Sequence, residues 1–177
     1  METFIALLRG INVSGKNLIK MNQLTQALAE AGLINVRTYI QSGNVVYESA
    51  TDQPVIDEKV ISDIIRDRFG FDVPVQLIRR NELIQIHDQN PFINDRGLPV
   101  DKLHLTVLNS TPDFALLSKI GADSFLPDEF FVSGRAVYLY CPEGYGRTKL
   151  TNTFFEKKLK VSATTRNWAT VIKLCSF

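Results

Sequence analysis

Residues 39–48 read YIQSGNVVYE. Two short β-rich runs, Val36–Gln41 and Val45–Glu48, flank Ser42-Gly43-Asn44, the pattern of a β-hairpin. A tight turn joins only antiparallel strands, so a purely parallel sheet is excluded. Upstream lies a compact apolar strand from Thr3 to Arg9. A glycine-containing loop follows, and then a helix over about Asn22–Ala31, with Leu24, Ala27, Leu28 and Ala31 on one face and Gly32 as its stop. Downstream, Asp52 ahead of Pro54 marks a helix entry. Asp57 and Glu58 suit the first turn, Arg66 and Arg68 the end, and Gly70 the stop. Val60, Ile61, Ile64, Ile65 and Phe69 are its expected buried stripe. Val73–Arg79 reads as a strand and Asn81–Asp88 as a short helix. The order β-α-β-β-α-β is the ferredoxin-like arrangement, an antiparallel sheet with both helices on one face.

The pattern then repeats. Asn90–Pro99 is rich in turn formers and reads as a join. Leu103–Leu108 follows as a strand, Asp113–Ile120 as a helix, and Glu129–Ser133 with Ala136–Tyr140 as a second hairpin. Helices are expected over about Lys149–Leu159 and Thr165–Cys175, the last with Thr164 as N-cap and Trp168, Val171, Ile172 and Cys175 on its buried face. FFVSGRAVYLY at 130–140 matches YIQSGNVVYE through Ser-Gly and Val-Tyr, which indicates internal duplication. The fold class is therefore α+β. Two ferredoxin-like units are expected, residues 1–97 and 98–177, the second partly degenerate with a C-terminal helix in place of a clear fourth strand.

The chain has 177 residues, 45% hydrophobic and 22% charged, an ordinary globular composition. It shows neither an apolar run long enough to span a bilayer nor a charged-then-apolar leader, so no membrane partner and a cytoplasmic location are expected. Cys141 and Cys175 are far apart and read as reduced. His87 and His104 are isolated, so no metal site is expected. Net charge is +1 but uneven. Residues 147–177 hold seven cations against Glu156. Residues 1–37 hold Arg9, Lys16, Lys20 and Arg37 against Glu2 and Glu30. The middle holds nine basic and sixteen acidic residues. Basic ends that met in space would concentrate anions.

The stretch LLRGINVSGKNLIK, residues 7–20, nearly spells a P-loop, with Gly10, Gly15 and Lys16 but Asn17 in place of Ser or Thr. Helical periodicity begins several residues after Lys16, Asn17 has no hydroxyl for Mg²⁺, and the sheet holds hairpins, so ATP or GTP hydrolysis is disfavoured. The loop still sets Arg9, Asn12, Lys16 and Asn17 around two glycines. Gln41, Ser42 and Asn44 carry similar donors, but the first loop is expected at the end of the sheet away from the hairpin tip. Two further places share this character. Gly144–Lys149 is a glycine loop expected to lead into a helix with Arg147 and Lys149. Arg166 and Asn167 are expected in the first turn of the last helix, where an anion would offset a cation at the positive end.

Ala6–Val13 with Gly15-Lys16-Asn17, Lys20-Met21, Thr38–Val46, Thr165–Trp168 and Thr170-Val171 together resemble the bacterial family called domain of unknown function 1697, over essentially the whole chain. The resemblance implies two α-β plait units and no established reaction. The residues it carries over are Arg9, Gly10, Asn12, Gly15, Lys16, Asn17, Gln41, Ser42, Gly43, Asn44, Arg147, Lys149, Arg166, Asn167 and Trp168. Ser14 and Thr148 depart from the family pattern, where Gly and Ser are usual.

Three functional readings remain open. The first is a binding module for an anionic ligand: a nucleotide, a phosphorylated metabolite or a nucleic-acid backbone. Its contacts would be Arg9, Asn12, Lys16, Asn17, Gln41, Ser42, Asn44, Arg147, Lys149, Arg166 and Asn167. The second is a phosphoryl- or nucleotidyl-type transferase or hydrolase in which Arg9, Lys16 and Arg166 stabilise negative charge; no general base is identifiable, and the cofactor is unknown. The third is a structural or dimerising protein whose loop residues only fix the turns.

Overall fold

A computed structural model describes residues 1–50 and 57–177. The chain divides into two compact units, Met1–Ile84 with Phe177 and Gln85–Ser176. Both are ferredoxin-like, each with one four-stranded antiparallel sheet whose strands lie side by side in the chain order second, third, first, fourth.

Unit 1 contains β1 (Glu2–Leu8), α1 (Met21–Glu30), β2 (Ile34–Tyr39), β3 (Asn44–Ser49), α2 (Glu58–Phe69) and β4 (Val75–Arg79). Phe4, Ala6 and Leu8 of β1 join Val45 and Tyr47 of β3, Leu24 and Leu28 of α1, and Ile61 and Ile65 of α2 in one apolar core. Each Val, Leu, Ile or Phe side chain so removed from water contributes roughly 1.5–3 kcal/mol. The start of α2 is capped as its composition requires: the Asp57 carboxylate accepts from Val60 N at 2.8 Å, and Gly70 closes the far end in the left-handed region. The expected entry at Asp52 and Pro54 lies outside the described residues. Val60 is 41% exposed, not part of the stripe. One step of a helix turns 100°, so with Ile61 and Ile65 facing the sheet Val60 faces water.

Unit 2 contains β5 (Leu103–Leu108), α5 (Phe114–Leu117), β6 (Glu129–Ser133), β7 (Ala136–Tyr140), α6 (Asn152–Leu159), β8 (Ala163–Asn167) and α7 (Trp168–Cys175). Between the two sets of strands, α3 (Arg80–Asp88) carries the division of the chain, and α4 (Pro91–Asn94) opens the second unit. The first helix of the unit is much shorter than expected, one turn capped by Asp113.

The largest departure is at the chain's end. Ala163–Asn167, expected as helix entry, is the fourth strand, so the second unit is complete. Thr164 and Thr165 are β-branched and pair in register with Val107 and Thr106 of β5. The Thr106 and Thr165 hydroxyls lie 2.7 Å apart, and Thr165 donates to Asn152 Oδ1 at 2.6 Å. Helix α7 starts only at Trp168, with Asn167 as its cap: the Asn167 carboxamide oxygen accepts from Thr170 N at 2.8 Å. Its buried face is Trp168, Thr170, Val171 and Leu174, while Ile172 is 42% exposed. Trp168 stacks on His87 and approaches Tyr138, on the face opposite the core formed by Val137, Leu139, Phe155 and Leu159. The second sheet thus has helices on both faces.

The Ser-Gly repeat is one residue out of register with the fold. Leu8 N donates to Gly43 O, and its counterpart Leu108 N donates to Arg135 O, both at 2.8 Å. Gly43 therefore corresponds to Arg135, not to Gly134. A shift of one residue reverses the facing of a strand. Tyr47 accordingly stacks on Phe4 inside the helix-covered core, whereas Tyr138 faces away from it and donates its hydroxyl to Ile86 O at 2.9 Å.

Candidate binding clefts

In unit 1 the loop after β1 and the β2–β3 hairpin tip meet, contrary to the expected separation. The reason is strand direction. β1 runs antiparallel to β3, with Leu7 opposite Asn44, so the end of β1 lies beside the start of β3 and the turn leading into it.

Asn12 is the hub of this junction. Its carboxamide donates to Ile19 O at 3.0 Å and to Gln41 O at 2.9 Å, and its oxygen accepts from Ile19 N at 2.8 Å. Both amide hydrogens are thereby used. Asn17 Nδ2 donates to Gly10 O at 3.0 Å, and Lys16 N closes a small turn onto Val13 O at 2.9 Å. Asn12, Ser14 and Asn17 all take positive φ, which asparagine tolerates better than most residues. Asn44 is fully buried and donates to Tyr39 O and Ser42 Oγ. A Cβ at Gly43 would lie 2.8 Å from both Leu8 Cβ and Ile11 Cδ1, so only glycine fits there. Asn12, Asn17, Ser42 and Asn44, all expected as ligand contacts, thus spend hydrogen bonds on building the loop.

What the loop leaves open is a cleft of about 580 Å³ between Gln41, Leu18, Ile19 and the first turn of α1, Lys20 to Gln23. Lys16, Lys20 and Gln41 are exposed and make no side-chain bond among the described residues, while Arg9 is partly buried. Lys20 stands at the N-cap of α1 without a side-chain cap bond, and the first turn holds no carboxylate. Lys16 precedes α1 by several residues. It is therefore outside the helical first turn where a P-loop lysine sits.

In unit 2, Gly144–Lys149 does not run directly into a helix. It forms a 3-10 turn, Tyr145–Arg147, and the buried Thr148 and Leu150 intervene before Thr151 caps α6. Arg147 and Lys149 line a cleft with Ser124, Leu126, Asp128 and Glu143. Arg166 lies within β8, not at a helix start. Its guanidinium donates to Thr165 O at 3.0 Å, and burial pushes its pKa down to about 10. Asn167, exposed, spends its oxygen on capping α7. Arg166 therefore does not stand at the positive end of a helix, contrary to expectation.

Burial lowers the His104 pKa, and its ring stacks on Tyr145. Cys141 and Cys175 form no disulfide, and burial pushes the Cys141 thiol up to about 11. Gln76 of β4 is 2% exposed, and neither atom of its carboxamide has a hydrogen-bond partner. Among the described residues no helix is long and apolar enough to cross a membrane.

The family described as protein of unknown function (DUF1697) matches residues 1–138, from β1 into β7. The chain belongs to the DUF1697 family. A solved structure of the same fold is that of the conserved bacterial protein SP0830 from Streptococcus pneumoniae. It is 20% identical and has a TM-score of 0.69, with 99% of this chain and 97% of that one covered. That likeness extends to both units of the DUF1697 chain and concerns fold alone. No curated protein matches.

Among the residues that define the clefts, Lys20, Asp128 and Glu143 are not among the site residues expected from the sequence. Lys20 had a signal, a lysine at the first position before helical periodicity where Ser, Thr, Asp or Asn would be usual. The two carboxylates had none, because only folding brings them to Arg147.

Proposed function

We infer that this DUF1697 protein is a binding module for an anionic ligand such as a nucleotide, a phosphorylated metabolite or a nucleic-acid backbone, taken at the cleft of unit 1. The observation that carries the reading is the start of α1. Its first turn opens on the cleft with no carboxylate and no cap bond from the Lys20 side chain, beside Lys20 and the free carboxamide of Gln41, although Gln23 N donates to the Asn22 carboxamide oxygen at 3.0 Å. The first amides of a helix and its dipole favour negative charge, and a lysine adds to both. Lys16 supplies a second cation on the same loop. Asn12, which also lines the cleft, and Asn17 and Asn44 serve as its scaffold through their bonds to backbone carbonyls.

A thermal-shift titration with pyrophosphate and ATP, each with and without Mg²⁺, tests this. The expected result is a midpoint that rises with ligand concentration and falls back as salt is added. In Lys20→Glu, a surface change at the cleft, that rise should vanish. No ligand-dependent rise in the wild type, or an equal rise in Lys20→Glu, overturns the reading. The second outcome would favour the alternative that the Asn12 hub itself supports, a loop that is purely a structural clasp.

A further inference from the structure

The cleft of unit 2 has a different electrostatic character. Its volume is about 160 Å³, and Arg147 and Lys149 share its lining with Asp128 and Glu143. Opposite charges on one small cleft ordinarily pair. Here none of the four side chains makes a hydrogen bond or ion pair among the described residues. Leu126, 65% exposed, and Pro127 form an apolar wall beside them.

A simple anion entering this cleft gains two attractions and meets two repulsions, and a simple cation fares the same. A molecule that carries both charges on a short frame satisfies both pairs at once. The volume is well below the several hundred Å³ of pockets for nucleotide- or drug-sized ligands. We propose that this cleft binds a free amino acid or a similarly small zwitterion. Its carboxylate is directed to Arg147 and Lys149 and its ammonium to Asp128 and Glu143. Its side chain lies on Leu126 and Pro127. Arginine and carboxylate are the groups that make strong charge-assisted hydrogen bonds to those partners. The inference is independent of the cleft in unit 1.

The test is titration of the twenty standard amino acids into the full chain, followed by backbone amide NMR shifts. The tightest binder is then compared with its N-acetyl and carboxamide forms, which each remove one charge. At least one amino acid should shift amides around 124–128 and 143–149. Acetylation and amidation should each weaken binding by about tenfold or more, the worth of one charge-assisted bond. Glu143→Gln and Arg147→Gln, both surface changes, should weaken it comparably with unchanged thermal midpoints. If no amino acid moves those amides, the proposal fails. It fails equally if the N-acetyl form binds as well as its parent, which marks a plain anion site. Carboxamide binding as tight as the parent, or indifference to both variants, also overturns it.

Discussion

The two units share a sheet down to individual hydrogen bonds and differ in what is attached to it. At the end of the first strand, Arg9 N donates to Pro74 O in one unit, and Asn109 N donates to Ser162 O in the other, each at 3.0 Å. Beyond that point unit 1 runs through the long loop Arg9–Lys20 into a ten-residue helix, whereas unit 2 passes through Asn109–Asp113 into one of four. The sheet evidently does not need the glycine-asparagine loop, because unit 2 forms the same sheet without it. The loop is an elaboration of one copy, and its residues are held by one another and by the hairpin tip more than by the sheet. Loops on a rigid scaffold are where binding groups are usually carried.

The sharpest way to break the comparison is at glycine. The sequence repeat equates Gly43 with Gly134, while the strand registers equate Gly43 with Arg135. Gly43→Ala meets Leu8 and Ile11 at overlapping distance and also forces alanine to positive φ. Gly134→Ala meets open space and carries only the second cost. Chemical denaturation should show a loss of about 3 kcal/mol or more for Gly43→Ala and about 1 kcal/mol for Gly134→Ala. Equal losses would mean that the Ser-Gly repeat, not the register, gives the true correspondence.

Next in size is Asn12→Ala. It leaves Ile19 N, Ile19 O and Gln41 O without their side-chain partner. The expected cost is about 2 kcal/mol, with hydrogen-exchange protection lost first at Ile19. Unit 2 has no such loop, so its exchange rates should hardly change. A uniform loss of protection across both units would show that the loop is integral to the whole fold and not an elaboration.

How much of this was readable beforehand depends on the range of the interactions concerned. Strands Leu103–Leu108, Glu129–Ser133 and Ala136–Tyr140 are legible to the residue, because alternation and a tight turn are written in neighbouring positions. The strand Ala163–Asn167 is not. Its partner Thr106 lies far away in sequence, and the helical spacing of Trp168, Val171, Ile172 and Cys175 draws the reading backward over Thr165 to Thr164, which also passes for a cap. The Arg9–Lys20 segment is legible as a special loop from Gly10, Gly15 and its asparagines. That those asparagines bond backbone carbonyls, and so leave Lys20, Lys16 and Gln41 to face solvent, is a tertiary fact. So is the solitary burial of the Gln76 carboxamide, which nothing in VQLIR announces.

The smallest expected effect separates the two cores by pH. Strand registers place His104 where unit 1 has Phe4: Phe4 stacks on Tyr47 within an apolar core, and His104 stacks on Tyr145. Burial disfavours the charged imidazole and lowers its pKa, partly countered by a hydrogen bond with the Lys102 backbone. The unfolded chain therefore binds a proton near the ordinary histidine pKa of about 6.5, while the folded chain does not. Stability is full above that pH and declines as pH falls from there toward the lowered folded value. His104→Phe makes unit 2 resemble unit 1 at this position and should flatten that decline without changing the thermal midpoint's rank at pH 8. Thermal midpoints of both proteins between pH 8 and pH 5 decide the matter: parallel curves would mean that His104 takes up its proton in the folded core as readily as in water, and that the difference between His104 and Phe4 is one of shape, not of charge.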